Sequence, residues 1–238
     1  MTTSIEIPLP GSGTGGTAEA YVAGSDDRTA PGVLFYMDAY GLRPQIETML
    51  DRIAGWGYTV LAPNVFHRDG TVAELVDERE HVFDRVRGLS PDQVLADAPA
   101  YLTALRERAS DGPFGTTGYC MGARLAVRTA NAHPDDIAAV GGWHGGGLAT
   151  DAEDSPHRGL RNARAEFAFG HADNDRSMQP EAVRTLGETL SEAGLVFIND
   201  VYPNAPHGYT MNDTPAYQEE GAERHYRVLE ELLARTIR

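Results

Sequence analysis

The stretch Phe114-Gly115-Thr116-Thr117-Gly118-Tyr119-Cys120-Met121-Gly122-Ala123-Arg124 constrains the chain more than any other. Gly118 to Gly122 has the form G-x-nucleophile-x-G, with a thiol where serine usually stands. A short β-branched run precedes it and reads as a strand. Met121 to Arg128 has apolar residues at 3–4 spacing, which predicts a helix. A strand that turns at once into a helix forces the apex residue into a strained backbone conformation. It also leaves room only for glycine two positions to either side. The apex side chain projects over the sheet, and the N–H of Met121 points into the same space. A helix N-terminus favours a thiolate, so Cys120 is the candidate nucleophile. A free cysteine can also be a small buried hydrophobe. The two flanking glycines at a strand–helix junction decide for the nucleophile.

Around this elbow the chain alternates strands and helices. Residues 4–9 and 17–23 alternate in polarity about a Gly-rich stretch, 11–16, and predict an antiparallel hairpin at a sheet edge. Residues 32–37 form an apolar run expected of a strand covered on both faces. A helix over 46–54 and a strand over 58–62 follow. Residues 72–87 and 91–109 have the pattern of acidic amphipathic helices. Beyond the elbow, strands are predicted over 137–142, 165–170 and 195–202, and helices over 181–193 and 215–238. Such alternation predicts a mostly parallel sheet with helices on both faces. At 238 residues the chain suits one α/β domain, 1–238.

Composition excludes several kinds of chemistry. The net charge of −15 argues against nucleic acid or an anionic membrane surface as partner. All 20 basic residues are arginine, so neither a Schiff-base lysine nor a P-loop is available. A single cysteine precludes an internal disulfide and suits a reducing compartment. Residues 1–12 lack the apolar core of a signal peptide, and no apolar run reaches membrane-spanning length. A soluble, cytoplasmic protein is expected. No spacing of His, Cys and acidic residues stands out as a metal-ligand set, and no cofactor is implied.

In sheets of this kind function collects at the carboxyl ends of the strands. Asp38, Cys120, Asp173 or Asp175, and His207 fall there. The order nucleophile, acid, histidine is that of α/β-hydrolases. His207 would take the thiol proton and return it to the leaving group, and a carboxylate would orient it. Asp173 and Asp175 both qualify as that carboxylate, the other being free to cap the next helix. The N–H groups of Met121 and Ala39 are the expected oxyanion donors. His144-Gly145-Gly146-Gly147 spells an oxyanion motif of some esterases. That motif belongs upstream of the nucleophile, so here it reads as a pocket wall or turn.

Together these residues resemble the dienelactone hydrolase family, the cysteine branch of the α/β-hydrolases, over nearly the whole chain. The resemblance rests on Asp38-Ala39-Tyr40-Gly41, Gly57-Tyr58, residues 62–68, Gly118-Tyr119-Cys120-Met121-Gly122, residues 172–175 leading to Pro180-Glu181, and Pro206-His207-Gly208-Tyr209. It implies an α/β-hydrolase fold and cleavage of a small ester or lactone through a thioester on Cys120. By the same resemblance His207 is the base and Asp175 its partner. Asp38 stands where the family carries a glutamate that holds the resting thiol and helps form the thiolate. The chain departs from the pattern in three places. Asp38 is one methylene shorter than glutamate. Met211 and His81 stand where the lactone hydrolases place two carboxylate-binding arginines, with Arg79 two positions from the second. A neutral substrate is therefore expected, with Arg79 and Arg68 the cations that could restore an anion site. A non-catalytic binding module and an acyl transferase to an acceptor other than water are the alternative functions.

Overall fold

Apolar runs and glycines dictate the strands of both compact units, Met1–Gly112 and Pro113–Arg238. The computed structural model describes residues 1–9 and 16–237, without the side chains of Asp77 and Arg79. In the first unit β1 (Thr3–Pro8) and β2 (Thr17–Ala23) pair antiparallel, Thr3 opposite Val22 and Pro8 opposite Thr17. This is the expected hairpin; residues 10–15 of its connection lie outside the described residues. The apolar run gives β3 (Gly32–Tyr36), buried throughout, which lies parallel to β4 (Thr59–Pro63). β2 pairs antiparallel with the other edge of β4. The crossover is α1 (Pro44–Ala54), whose Ile46, Met49, Leu50 and Ile53 recur at helical spacing and are buried against β2 and β4.

The predicted helix over 72–87 is broken. It forms α2 (Val72–Asp77), a 3-10 turn, and α3 (Val82–Gly88). Thr71 and Glu74 make a reciprocal capping box at the start of α2. At its end the buried Arg85 donates through Nη2 to the carbonyls of Leu75, at 3.5 Å, and Glu78, at 3.1 Å. A side chain thus takes up carbonyls that a continuous helix would have satisfied. α4 (Pro91–Arg106) then covers β3 and β4.

In the second unit β5 (Phe114–Tyr119), β6 (Ile137–Trp143), β7 (Glu166–Ala172) and β8 (Phe197–Tyr202) pair in sequence, all parallel. The helices are α5 (Met121–Ala132), α6 (Pro180–Glu192) and α7 (Glu219–Thr236). Two adjacent glycines of β6 show how two of them sit. A Cβ on Gly141 would touch Leu229 of α7 at 3.1 Å, and one on Gly142 would lie 3.6 Å from Ala123 of α5. Successive strand residues face opposite sides, so α5 and α7 flank this sheet on its two faces. The last helix begins at Glu219 rather than 215. Residues 211–217 make successive turns, and Gln218 Oε1 accepts the N–H of Gly221 as the cap.

Every strand of this unit ends beside a non-glycine residue with positive φ: Cys120 (55°), His144 (38°), Asn174 (55°) and Asn204 (58°). Behind this rim lies an aromatic layer of Trp143, Tyr202 and Tyr209, all fully buried. Gly170 is its tightest point, since a Cβ there would sit 2.7 Å from Tyr209 Oη and 2.8 Å from Tyr202 Cζ. Gly170→Ala is expected to destabilise the protein by about 1–3 kcal/mol through overpacking. The shift of the urea midpoint measures it.

Candidate active site

Cys120 sits between β5 and α5 with φ 55° and ψ −116°. A Cβ on Gly118 would lie 2.1 Å from the carbonyl oxygen of Gly122, so the backbones of the two glycines nearly touch. That contact forces the sharp turn. Cys120 N–H donates to Trp143 O at 3.0 Å, tying the apex to β6. Met121 opens α5, where the first backbone N–H groups have no intrahelical acceptor.

His207 Nε2 lies 3.1 Å from Cys120 Sγ, and its Nδ1 lies 2.6 Å from Asp175 Oδ2. The other oxygen of Asp175 accepts from Ser177 N–H at 2.8 Å and Ser177 Oγ–H at 2.7 Å. Asp173 points elsewhere and accepts the N–H of Asn204 at 2.9 Å. The structure thus brings Cys120, His207 and Asp175 into one hydrogen-bonded line and gives Asp173 a loop-fastening role. Burial alone would raise Asp175, but its bonds to His207 and Ser177 hold it down at about 2. Burial would lower His207, but its bonds to Asp175 and Cys120 prevail and push it up to about 10.

Asp38 and Ala39 belong to the first unit. Arg43 grips Asp38 at two points, Nη1 to Oδ1 at 2.6 Å and Nη2 to Oδ2 at 3.1 Å. Both residues are buried, and the N–H of Tyr40 also donates to Asp38 Oδ1 at 3.1 Å. Ala39 is buried beside them. Of the candidate cations, Arg68 is spent on the buried Asp97 in a two-point pair at 2.7 and 2.9 Å. The side chain of Arg79 lies outside the described residues. Met211 is buried and His81 is exposed.

Sequence reasoning missed three residues. Ser177 had a signal, because Asp-x-Ser is the pattern of a carboxylate that accepts the N–H two residues on. Arg124, one helical turn beyond Cys120, has no ion-pair partner among the described residues. Burial holds it below its ordinary value, against the attraction of Cys120. In the sequence His144 stands out only as part of a glycine motif. Its ring packs against that of His207, centroids 5.2 Å apart. The glycines after it let the loop close on the loop of Asp175 and Ser177. A Cβ on Gly146 would meet Ser177 Oγ at 2.4 Å, and Gly147 N–H donates to Ser177 O. Among the described residues, no helix is long and apolar enough to cross a membrane, and no group of three acidic, His or Cys side chains forms a metal site.

A parallel sheet flanked by helices, with a cysteine elbow after one strand and a histidine after the last, is the α/β-hydrolase fold. A provisionally named dienelactone hydrolase from Klebsiella pneumoniae superposes with a TM-score of 0.84 at 23% identity, covering 98% of this chain and 99% of that one. A dienelactone hydrolase from Anabaena variabilis gives a TM-score of 0.70 at 15% identity, over 100% and 99%. Residues 18–237 match the model of the dienelactone hydrolase family, and the chain belongs to that family, within the carboxylic ester hydrolases. A Yersinia pestis protein with the provisional name carboxymethylenebutenolidase is 27% identical over 210 residues, 86% of this chain and 78% of its own length.

Two predictions follow from the charges. Asp175, lowered from 3.8 to about 2, contributes stability that is complete above 3.8 and is lost as pH falls through 2. His207, raised from 6.5 to about 10, contributes stability that is complete below 6.5 and is lost as pH rises through 10. The denaturation midpoints of wild type and Asp175→Asn are therefore expected to differ most near pH 5 and to converge towards both edges. Arg43→Leu leaves the Asp38 carboxylate buried without its cation, at a cost of about 3–5 kcal/mol. Urea denaturation reads this loss too.

Proposed function

We propose that the protein hydrolyses small carboxylic esters or lactones through a thioester on Cys120. The observation that carries this reading is the continuous line from Cys120 Sγ through His207 to Asp175 Oδ2. The proton shared by the Cys120–His207 pair rests on the imidazole, held there by Asp175, and the sulfur forms its bond to the carbonyl carbon while the C=O π pair moves to oxygen. The N–H of Met121, at the start of α5, holds that oxyanion. Collapse expels the alkoxide, which takes the proton from His207. In a lactone this alcohol stays tethered to the acyl group. Acylation also removes the sulfur as a partner of His207, one of the two that raise it, so the imidazole releases its proton more readily. His207 then draws a proton from water, which attacks the thioester; the acid leaves and the thiol is restored.

Within the first unit Arg43 fixes the carboxylate of Asp38, the residue that stands where the family carries its glutamate. The family match spans both units, which favours 1–238 as one domain. A cytoplasmic location suits a thiol that must stay reduced. The net charge of −15 speaks against nucleic acid or an anionic membrane as partner. Neutral substrates are favoured by the buried Met211 and by the commitment of Arg68 to Asp97. The unpaired Arg124 supports a second reading, in which the site accepts a carboxylate-bearing substrate.

Stoichiometric alkylation of Cys120 should abolish hydrolysis of a generic aryl ester, and a fully alkylated protein that keeps its rate refutes the thioester route. Asp175→Asn is expected to lower kcat on the order of 10²–10⁴-fold, and Asp173→Asn far less. Size-matched neutral and anionic lactones decide the substrate charge. Preference for the anion, lost in Arg124→Met, selects the second reading.

A further inference from the structure

His144 occupies a costly position. It is a non-glycine residue with φ 38°, although three glycines follow it directly and could have taken the left-handed conformation. Such strain persists only where the surroundings over-determine it, and the surroundings of His144 are specific. Its N–H donates to Gly170 O at 2.8 Å. The same carbonyl accepts Tyr209 Oη–H at 3.1 Å. The ring of His144 is buried, and its Nε2 lies 2.8 Å from Thr210 Oγ1. Thr210 is three residues beyond His207. The His144 ring meets those of His207 and Tyr209 edge-on, inclined by 65° and 80°, with centroids 5.2 and 5.1 Å away. Residues 207–210 are therefore fastened to the ends of β6 and β7 twice, at Tyr209 and at Thr210. The second fastening is a side chain that also touches the imidazole.

We propose that His144 is a positioning residue for the hydrolysis: bonded to Thr210 and packed on His207, it holds the imidazole of His207 between Asp175 and Cys120. This rests on the reading of Cys120, His207 and Asp175 given above. The imidazole must keep Nδ1 on Asp175 while Nε2 serves first the sulfur and then the leaving group. A ring pinned at one atom can still tilt about that bond. His144 blocks the tilt from the side, and Thr210 fixes His144 in turn. The brace works as an uncharged body. Burial, then the neighbouring His207 and His225, keep His144 well below the ordinary histidine value, so no second cation competes for the Asp175 carboxylate. The groups facing the pair are Asp175, Cys120, Tyr119, Tyr209, Thr210 and His225.

The test uses His144→Phe, Thr210→Val, their double variant and Thr210→Ser. His144→Phe keeps a ring but loses the nitrogen, and Thr210→Val loses only the hydroxyl. Hydrolysis of p-nitrophenyl acetate gives kcat and KM, and NMR of the labelled imidazole gives the titration midpoint of His207. For both single variants kcat should fall about 10- to 100-fold with KM little changed. The His207 midpoint should move from about 10 towards 6.5, because its bonds to Asp175 and Cys120 loosen. The double variant should be no worse than the weaker single, since both break one link, and Thr210→Ser should recover both readouts. A folded His144→Phe with wild-type kcat or an unmoved midpoint overturns the proposal. If that variant does not fold, Thr210→Val with wild-type values overturns it equally. Cys120→Ala separates the two levels. If it retains hydrolysis, the thioester reading itself has failed; if it is inactive while His144→Phe is normal, only the brace has failed.

Discussion

The near-contact of two glycine backbones, Gly118 and Gly122, governs this protein. A carbonyl oxygen stands where the Cβ of any larger residue at 118 would have to be. That closeness turns β5 into α5 without a loop, drives Cys120 to positive φ and aims its side chain beyond the sheet. The rest of the site is built to meet a thiol whose place is set by backbone alone. His207 reaches it from 87 residues downstream, and Asp175 supports His207 from 32 residues before it. Each carries a hydrogen bond on its far side, so the thiol's surroundings are held by a chain of short contacts rather than by one residue.

The same device recurs along the rim. Cys120, His144, Asn174 and Asn204 follow four adjacent parallel strands, and each spends backbone energy on a left-handed turn. Asparagine tolerates that conformation because its short amide can bond locally. Cysteine and histidine have no such excuse. Both carry side chains that the site uses or touches, which makes strain a guide to function where motifs are silent.

Much of this was legible in the sequence. The glycine spacing around Cys120 encodes a steric fact, and apolar periodicity encodes strand and helix faces, so the elbow, the parallel strands and α1 could be read directly. Residues 72–87 could not. At their break the buried Arg85 bonds the freed carbonyls, and local periodicity carries no information about a side chain that caps a carbonyl from the next helix. Asp173 and Asp175 are equivalent in the linear pattern. Only the placement of Asn204 and Ser177 distinguishes them. His144 was hidden by its own context, since a histidine before three glycines suggests a loop motif rather than a side chain against His207. The neighbours of Arg124 likewise become visible only after folding.

The separation of 87 residues between sulfur and imidazole also has a consequence for biosynthesis. Translation at about 5–20 residues per second leaves an interval of about 4–17 s, from 87/20 to 87/5, between synthesis of Cys120 and synthesis of His207. During that time β5, α5 and β6, which pack on one another, can already be synthesised, while the histidine loop does not yet exist. The nascent chain then carries a thiol at a helix start without its imidazole. A chain arrested in that window would present this thiol without the imidazole that faces it in the finished protein.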